Sequence, residues 1–230
     1  MVAVVAFDGD DTLWHSEAGF AEAQEQLRQV CAPYRDPDEI DAELYRTEAA
    51  NMASFGYGVK AFTLSMVETA VRVSDGQIPA GRLAEIVEAG KALLDRPVEL
   101  CAGAAEAVEE LAGSHRLLLL TKGDLLHQER KIAASGLSDH FDRVEIVSEK
   151  DVDTYTRLMR EERVRGGDLL MVGNSLRSDV LPALEAGARA VHVPYPLTWI
   201  HEQVAADGRD DVVVLDSLEA LPGHVRELVG

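Results

Sequence analysis

Six short apolar runs punctuate the chain: VAVVAF (2–7), LLLLT (117–121), VEIV (144–147), LLMV (169–172), AVHV (190–193) and VVVL (212–215). None shows the polar alternation of a strand with one wet face, and each is bounded by Asp, Arg or Gly, so they read as strands buried on both sides. Helical stretches at 124–135, 151–164, 178–187 and 217–229 separate the later runs. The β-α-β-α rhythm predicts an α/β fold: a Rossmann-like parallel sheet with helices on both faces.

The first run breaks the rhythm. About a hundred residues follow it without another strand-like segment, and there the apolar residues keep helical spacing: Phe20, Ala23, Leu27 and Val30; Val59, Phe62, Met66 and Val67; Leu83, Ile86, Val87 and Leu94. Pro37 and Pro79 stand where two of these helices would start. The expected organisation is an α/β core of residues 1–15 and 98–230, with an all-helical domain, 16–97, inserted after the first strand.

Composition narrows the partners. With 41 Asp plus Glu against 22 Lys plus Arg, the formal net charge is −19, which argues against nucleic acid and anionic membranes. Cys31 and Cys101 are far apart and form no CxxC pair, so neither a disulfide framework nor a zinc cluster is expected. The opening MVAVVAF lacks a basic flank and a cleavage site, and no run reaches membrane-spanning length. The expected compartment is the cytoplasm.

Ligands bind at the carboxyl ends of strands in such sheets. There the sequence places Asp8-Gly9-Asp10-Asp11-Thr12, Thr121-Lys122-Gly123-Asp124, Ser148-Glu149-Lys150-Asp151 and Gly173-Asn174-Ser175, with Asp179 beyond. Two carboxylates at one strand end repel each other, and either a shared cation or protonation of one relieves the repulsion. A hard, oxygen-ligated cation such as Mg²⁺ would leave one carboxylate as nucleophile and the other as acid and base. Taken alone, DxDxT also suits a solvated acidic loop; the hydroxyl, ammonium and Asn/Asp groups after three other strands complete the inventory of phosphoryl transfer.

The chain resembles the haloacid dehalogenase superfamily, whose four motifs stand here in order as FDGDDTLW, LLLTKG, VSEKD and MVGNSLRSD. Many members carry a helical cap between the first and second motifs. The resemblance implies a phosphatase acting on a small phosphorylated metabolite, with Asp8 as nucleophile forming an aspartyl-phosphate and Asp10 as acid and base. Thr121 and the Gly123 amide would hold phosphoryl oxygens and Lys150 would neutralise charge. Mg²⁺ would bind Asp8, the Asp10 carbonyl and a group of the fourth motif.

Two residues depart from the family pattern. Asn174 stands where Asp is common, so either its amide oxygen or Asp179 serves the metal. Lys122 replaces a small polar residue and becomes a further candidate for binding the substrate anion. Asp10 favours a phosphatase over a dehalogenase, because an alkoxide leaving group needs a proton and a halide does not. A phosphomutase, or a non-catalytic module binding a phospho-ligand or a protein, stays open. Tyr57 and Lys60 in the inserted domain, and Arg177, are candidates for substrate contact, whereas Trp14 and Trp199 read as packing residues.

Overall fold

A computed structural model describes residues 2–197, 199–202 and 211–229. The described chain divides into two compact units. One holds the residues up to His15, Val98–Lys122 and the described residues from Gln128 onward; the other holds Ser16–Pro97 with Gly123–His127.

The first unit is built on six strands: β1 (Val4–Phe7), β2 (Arg116–Lys122), β3 (Arg143–Val147), β4 (Leu169–Gly173), β5 (Arg189–His192) and β6 (Val213–Val214). Their order is β3-β2-β1-β4-β5-β6 and every pairing is parallel. Helices α5 (Ala104–Ala112), α6 (Leu125–Ala134), α7 (Val152–Glu162), α8 (Leu181–Glu185) and α9 (Leu221–Val229) follow the strands, α1 to α4 lying earlier in the chain.

The missing polar alternation has a direct cause. Val5 and Phe7 pack with Leu117, Leu119 and Val172 on one face, against α5 and α9. Val4 and Ala6 pack with Leu118, Leu120 and Met171 on the other, against α7 and α8. Successive side chains point to opposite faces, and both faces are dry. Each large side chain buried there contributes about 1.5–3 kcal/mol over an exposed one.

Two local expectations need correction. The runs at 144–147 and 212–215 were expected to be buried, but β3 and β6 are the sheet edges, and Val144 and Val214 are 41% and 54% exposed. Helix α5 adds an element before β2 to those read from the sequence. The stretch 178–187 is not one helix: a π-helical turn, Leu176–Val180, precedes the short α8. Pro182 brings no N–H to continue the ladder to the Ser178 carbonyl, and the Tyr155 hydroxyl donates to that carbonyl at 2.9 Å.

The second unit contains α1 (Glu17–Cys31), α2 (Pro37–Phe55), α3 (Val59–Val73) and α4 (Ala80–Leu94) around a core of Leu27, Ile40, Leu44, Phe62, Met66 and Ile86. Pro37 opens α2 behind Asp36, as the fixed φ of proline at a first helical position favours. Arg28 donates to both oxygens of Asp41 at 2.8 Å, tying α1 to α2. Gly123–His127 also falls here, although the sequence assigns it to the core domain. Lys60 pairs with Asp124 at 3.0 Å, and a Cβ on Gly58 would stand 2.8 Å from the Asp124 nitrogen.

Candidate active site

The strand order reverses between β1 and β4, and at such a point the loops splay apart to leave a crevice. Asp8 continues β1 by donating its N–H to the Val172 carbonyl at 2.9 Å. The chain then turns sharply: the Gly9 carbonyl accepts from Leu13 at 2.8 Å and from Trp14 at 3.2 Å, and Asp11 adopts φ 60°. Gly9 is required by close approach, since a Cβ there would lie 2.7 Å from the Trp14 ring.

The turn sends Asp8 and Asp10 to different neighbours. Asp8 is buried and accepts from the Lys150 ammonium, which also donates to Asp179 at 2.7 Å. The other Asp8 oxygen meets the Thr12 hydroxyl at 3.2 Å. Burial and the negative Asp179 hold the Asp8 carboxyl above the usual range despite Lys150. One ammonium between two buried carboxylates leaves the cluster short of positive charge.

Asp10 faces α6. It accepts from Trp14 Nε1 at 2.7 Å, from Gln128 Nε2 at 2.9 Å and from the Lys131 ammonium. Burial pushes its carboxyl up, but the Lys131 charge and these three donors outweigh burial and hold it below the ordinary value.

The Thr121 hydroxyl lies beside Gly9, buried and without a hydrogen-bond partner. Such an unmet group costs about 1–3 kcal/mol and marks a place where a ligand oxygen would be welcome. Lys122 instead donates to Ser178 Oγ at 2.9 Å and to the Glu202 carboxylate. Glu202 also accepts from the Ser175 and Ser178 hydroxyls. Burial raises the Glu202 carboxyl, yet Lys122 and these hydroxyls hold it below its usual value. Gly123, at φ 135°, falls in the helical unit with Tyr57 and Lys60. Arg177 donates to the His201 carbonyl.

In the fourth motif, Asn174 Oδ1 stands 3.3 Å from Thr12 Oγ1, and the Asn174 N–H donates to that oxygen at 3.0 Å. The Thr12 hydroxyl has one proton and faces two acceptors, Asp8 and Asn174, so one of them goes without it. Both oxygens of Asp179 are engaged, one by Lys150 and the other by the Ser175 N–H at 3.0 Å. The second contact needs Gly173, where a Cβ would fall 2.2 Å from the carboxylate.

Hard oxygens beside an uncompensated negative charge suit Mg²⁺, so the donor set fits that ion, and Asp8 and Asn174, which compete for the single Thr12 proton, are the side chains that would hold it. Among the described residues no group of three or more His, Cys, Asp or Glu side chains gathers for a metal. Water and backbone would complete the shell, as Mg²⁺ commonly keeps several waters.

The family model of the haloacid dehalogenase-like hydrolases matches residues 2–187, which takes in β1, the inserted helices and all four strand-end clusters. The chain belongs to the haloacid dehalogenase-like hydrolase family. It is 41% identical to a solved haloacid dehalogenase-like family hydrolase from Xanthomonas campestris, with a TM-score of 0.89 over 99% of this chain and 91% of that one. N-acylneuraminate-9-phosphatase from Homo sapiens is 28% identical over 87% of this chain and 83% of its own length. L-2-haloacid dehalogenase from Xanthobacter autotrophicus shares the fold alone, with a TM-score of 0.68 at 17% identity over 99% of both chains. This member of the family is thus a hydrolase with an inserted helical unit between its first two motifs.

Sequence reasoning does not single out Thr12 as a bridge, Gln128 and Lys131, or Glu202. The 128/131 spacing on α6 places both side chains on one helix face, and that is the one signal the sequence carries for them. No helix among the described residues is long and apolar enough to cross a membrane.

Proposed function

We propose that this hydrolase is a Mg²⁺-dependent phosphoric monoester hydrolase acting on a small phosphorylated metabolite through an aspartyl-phosphate. One observation carries the reading: Asp8 is ion-paired to Lys150, which Asp179 also holds, and the strand-end crevice around it contains an unpartnered buried Thr121 hydroxyl and a second carboxylate two residues away at Asp10. The phosphatase relative from Homo sapiens supports the same reaction class.

In this reading an Asp8 oxygen forms the new bond to phosphorus while the ester P–O bond breaks, and Asp10 gives its proton to the departing oxygen. Asp10 then takes a proton from the water that attacks the aspartyl-phosphate, which returns Asp8 as a carboxylate. Lys150 balances charge on Asp8 and the phosphoryl group, and Thr121 donates to a phosphoryl oxygen. Mg²⁺, held by Asp8 and Asn174, would supply Lewis-acid stabilisation of that charge. Asp179 holds Lys150 in place. Lys122, tied to Glu202, shapes the fourth-motif loop and leaves the phosphoryl group to Thr121, the Gly123 amide and Lys150. The helical unit, residues 16–97, serves as the cap that chooses the substrate, inserted into the core domain of 1–15 and 98–230.

The test is phosphate release from p-nitrophenyl phosphate and from a panel that includes an N-acylneuraminate 9-phosphate, with and without Mg²⁺. Turnover that needs both Mg²⁺ and Asp8 supports the reading. Undiminished turnover by Asp8→Asn overturns it.

A further inference from the structure

We infer that Glu202 is a positioning residue for the site: its carboxylate ties the loop after β4 to the end of β2 and so fixes Asn174 for the metal. The inference rests on the Mg²⁺-dependent reading above. It gives a role to a residue that lies beyond the stretch 2–187 matched to the family. β2 and β4 flank β1 and do not pair with each other. Neighbouring strands are spaced by about 4.8 Å, so these two strand ends lie about 10 Å apart and have to be joined by side chains.

Lys122 is placed to make the join. Side chains alternate along a strand, so Lys122 follows Leu118 and Leu120 to the face covered by α7 and α8, while Thr121 follows Leu117 and Leu119 to the other. On its face Lys122 donates to Ser178 Oγ at 2.9 Å and to Glu202, which ends the turn Ile200–Glu202 beyond β5. The Glu202 carboxylate also accepts from the Ser178 hydroxyl at 2.8 Å and from the Ser175 hydroxyl. Ser175 Oγ in turn accepts the Ser178 N–H at 3.0 Å. The side chains of Lys122 and Glu202 are 16% and 11% exposed, and charges so little hydrated are costly unless paired and hydrogen-bonded.

Ser175 and Ser178 are chain neighbours of the functional groups. Ser175 follows Asn174, and Ser178 precedes Asp179, which accepts from Lys150 at 2.7 Å. Asn174 stands just before the π-helical turn Leu176–Val180, a geometry that is rare by itself and is anchored here from outside by Glu202. Arg177 ties the same two turns a second time by donating to the His201 carbonyl. Outer groups that orient a ligand are worth about 10–100-fold in metal affinity. Glu202 acts from one residue further out, which puts it at the lower end.

The experiment titrates Mg²⁺ alone into the full chain by calorimetry, for the wild type, Glu202→Gln, Ser178→Ala and Glu202→Gln/Ser178→Ala, with urea unfolding of each alongside. Ser178→Ala cuts the same clamp without altering any charge, which separates positioning from the loss of a negative charge near a cation. The expected result is that each single variant, still folded, raises the Kd for Mg²⁺ by about tenfold. The double variant raises it no further than the larger single one, because residues acting as one unit are not additive. A purely structural role would move the urea midpoints and leave the Kd unchanged. That outcome, or a Ser178→Ala variant with wild-type affinity, or an additive double variant, overturns the inference while leaving the Mg²⁺-dependent reading intact. A wild type that binds no Mg²⁺ overturns both.

Discussion

Asp8 and Asp10 are the same residue type two positions apart, yet they live in opposite surroundings. Asp8 shares one ammonium with a second buried carboxylate, and its proton affinity is raised by burial and by Asp179. Asp10 accepts from an ammonium, an amide N–H and an indole N–H and is held below its usual range. One side of the turn is short of positive charge and the other is well supplied. In the resting site the proton affinities run opposite to the roles of nucleophile and acid, so Asp10 takes on the acid role only once a substrate's negative charge enters the crevice. The division here is made by the Gly9 turn, which sends successive acids to the Lys150 side and to the α6 side.

The comparison can be broken most severely at Asp8. Asp8→Asn lowers kcat/KM toward p-nitrophenyl phosphate by more than about a thousandfold, as removal of a nucleophile does, and stopped-time phosphate assays read it. Next is Lys150→Met, which strands Asp8 and Asp179 beside each other in a buried site. Leaving a buried charge unpaired costs about 3–5 kcal/mol, measured by urea unfolding, and adding Asp179→Asn should return part of that loss.

Gly173→Ala acts on the same side by forcing the Asp179 carboxylate away from a Cβ that would fall 2.2 Å from its oxygen. A loss of about 1–3 kcal/mol is expected, with a lower melting temperature. The smallest effect concerns Glu202, whose carboxyl is held below its ordinary value. A depressed folded-state pKa gives stability that is present above the unfolded pKa and lost as pH falls through the folded one. The melting temperature of Glu202→Gln should therefore lie below the wild type at pH 7, and the difference should shrink as pH falls below about 4.

Much of the core was legible because its cause is local. The runs 2–7, 117–120 and 169–172 are apolar at every position, and the sheet they form is covered on both faces. The strand-end acids, Thr121, Lys150 and Asn174 were found because a parallel sheet gathers its strand ends along one edge. Lys131 was not, since it lies in the polar HQERK stretch where nothing local separates it from Arg130. Glu202 likewise looks like a surface acid until the fold brings it to Lys122 and Ser178. Val144 and Val214 misled in the other direction, because a strand does not announce from its own residues that it lies at an edge.

The placement of β1 between β2 and β4 also sets an order of events at the ribosome. Thr12 and Asn174, which share hydrogen bonds at the crevice, are 162 residues apart. At synthesis rates of about 5–20 residues per second, β1 emerges first and waits roughly ten seconds or more for β4. The four helices made in the interval contact their chain neighbours and have a core of their own, so they can settle while β1 is still a lone apolar strand. Residues 2–7, VAVVAF, are thus an apolar strand with unpaired edges until β2 and β4 close around it, which makes them the aggregation-prone segment of the growing chain.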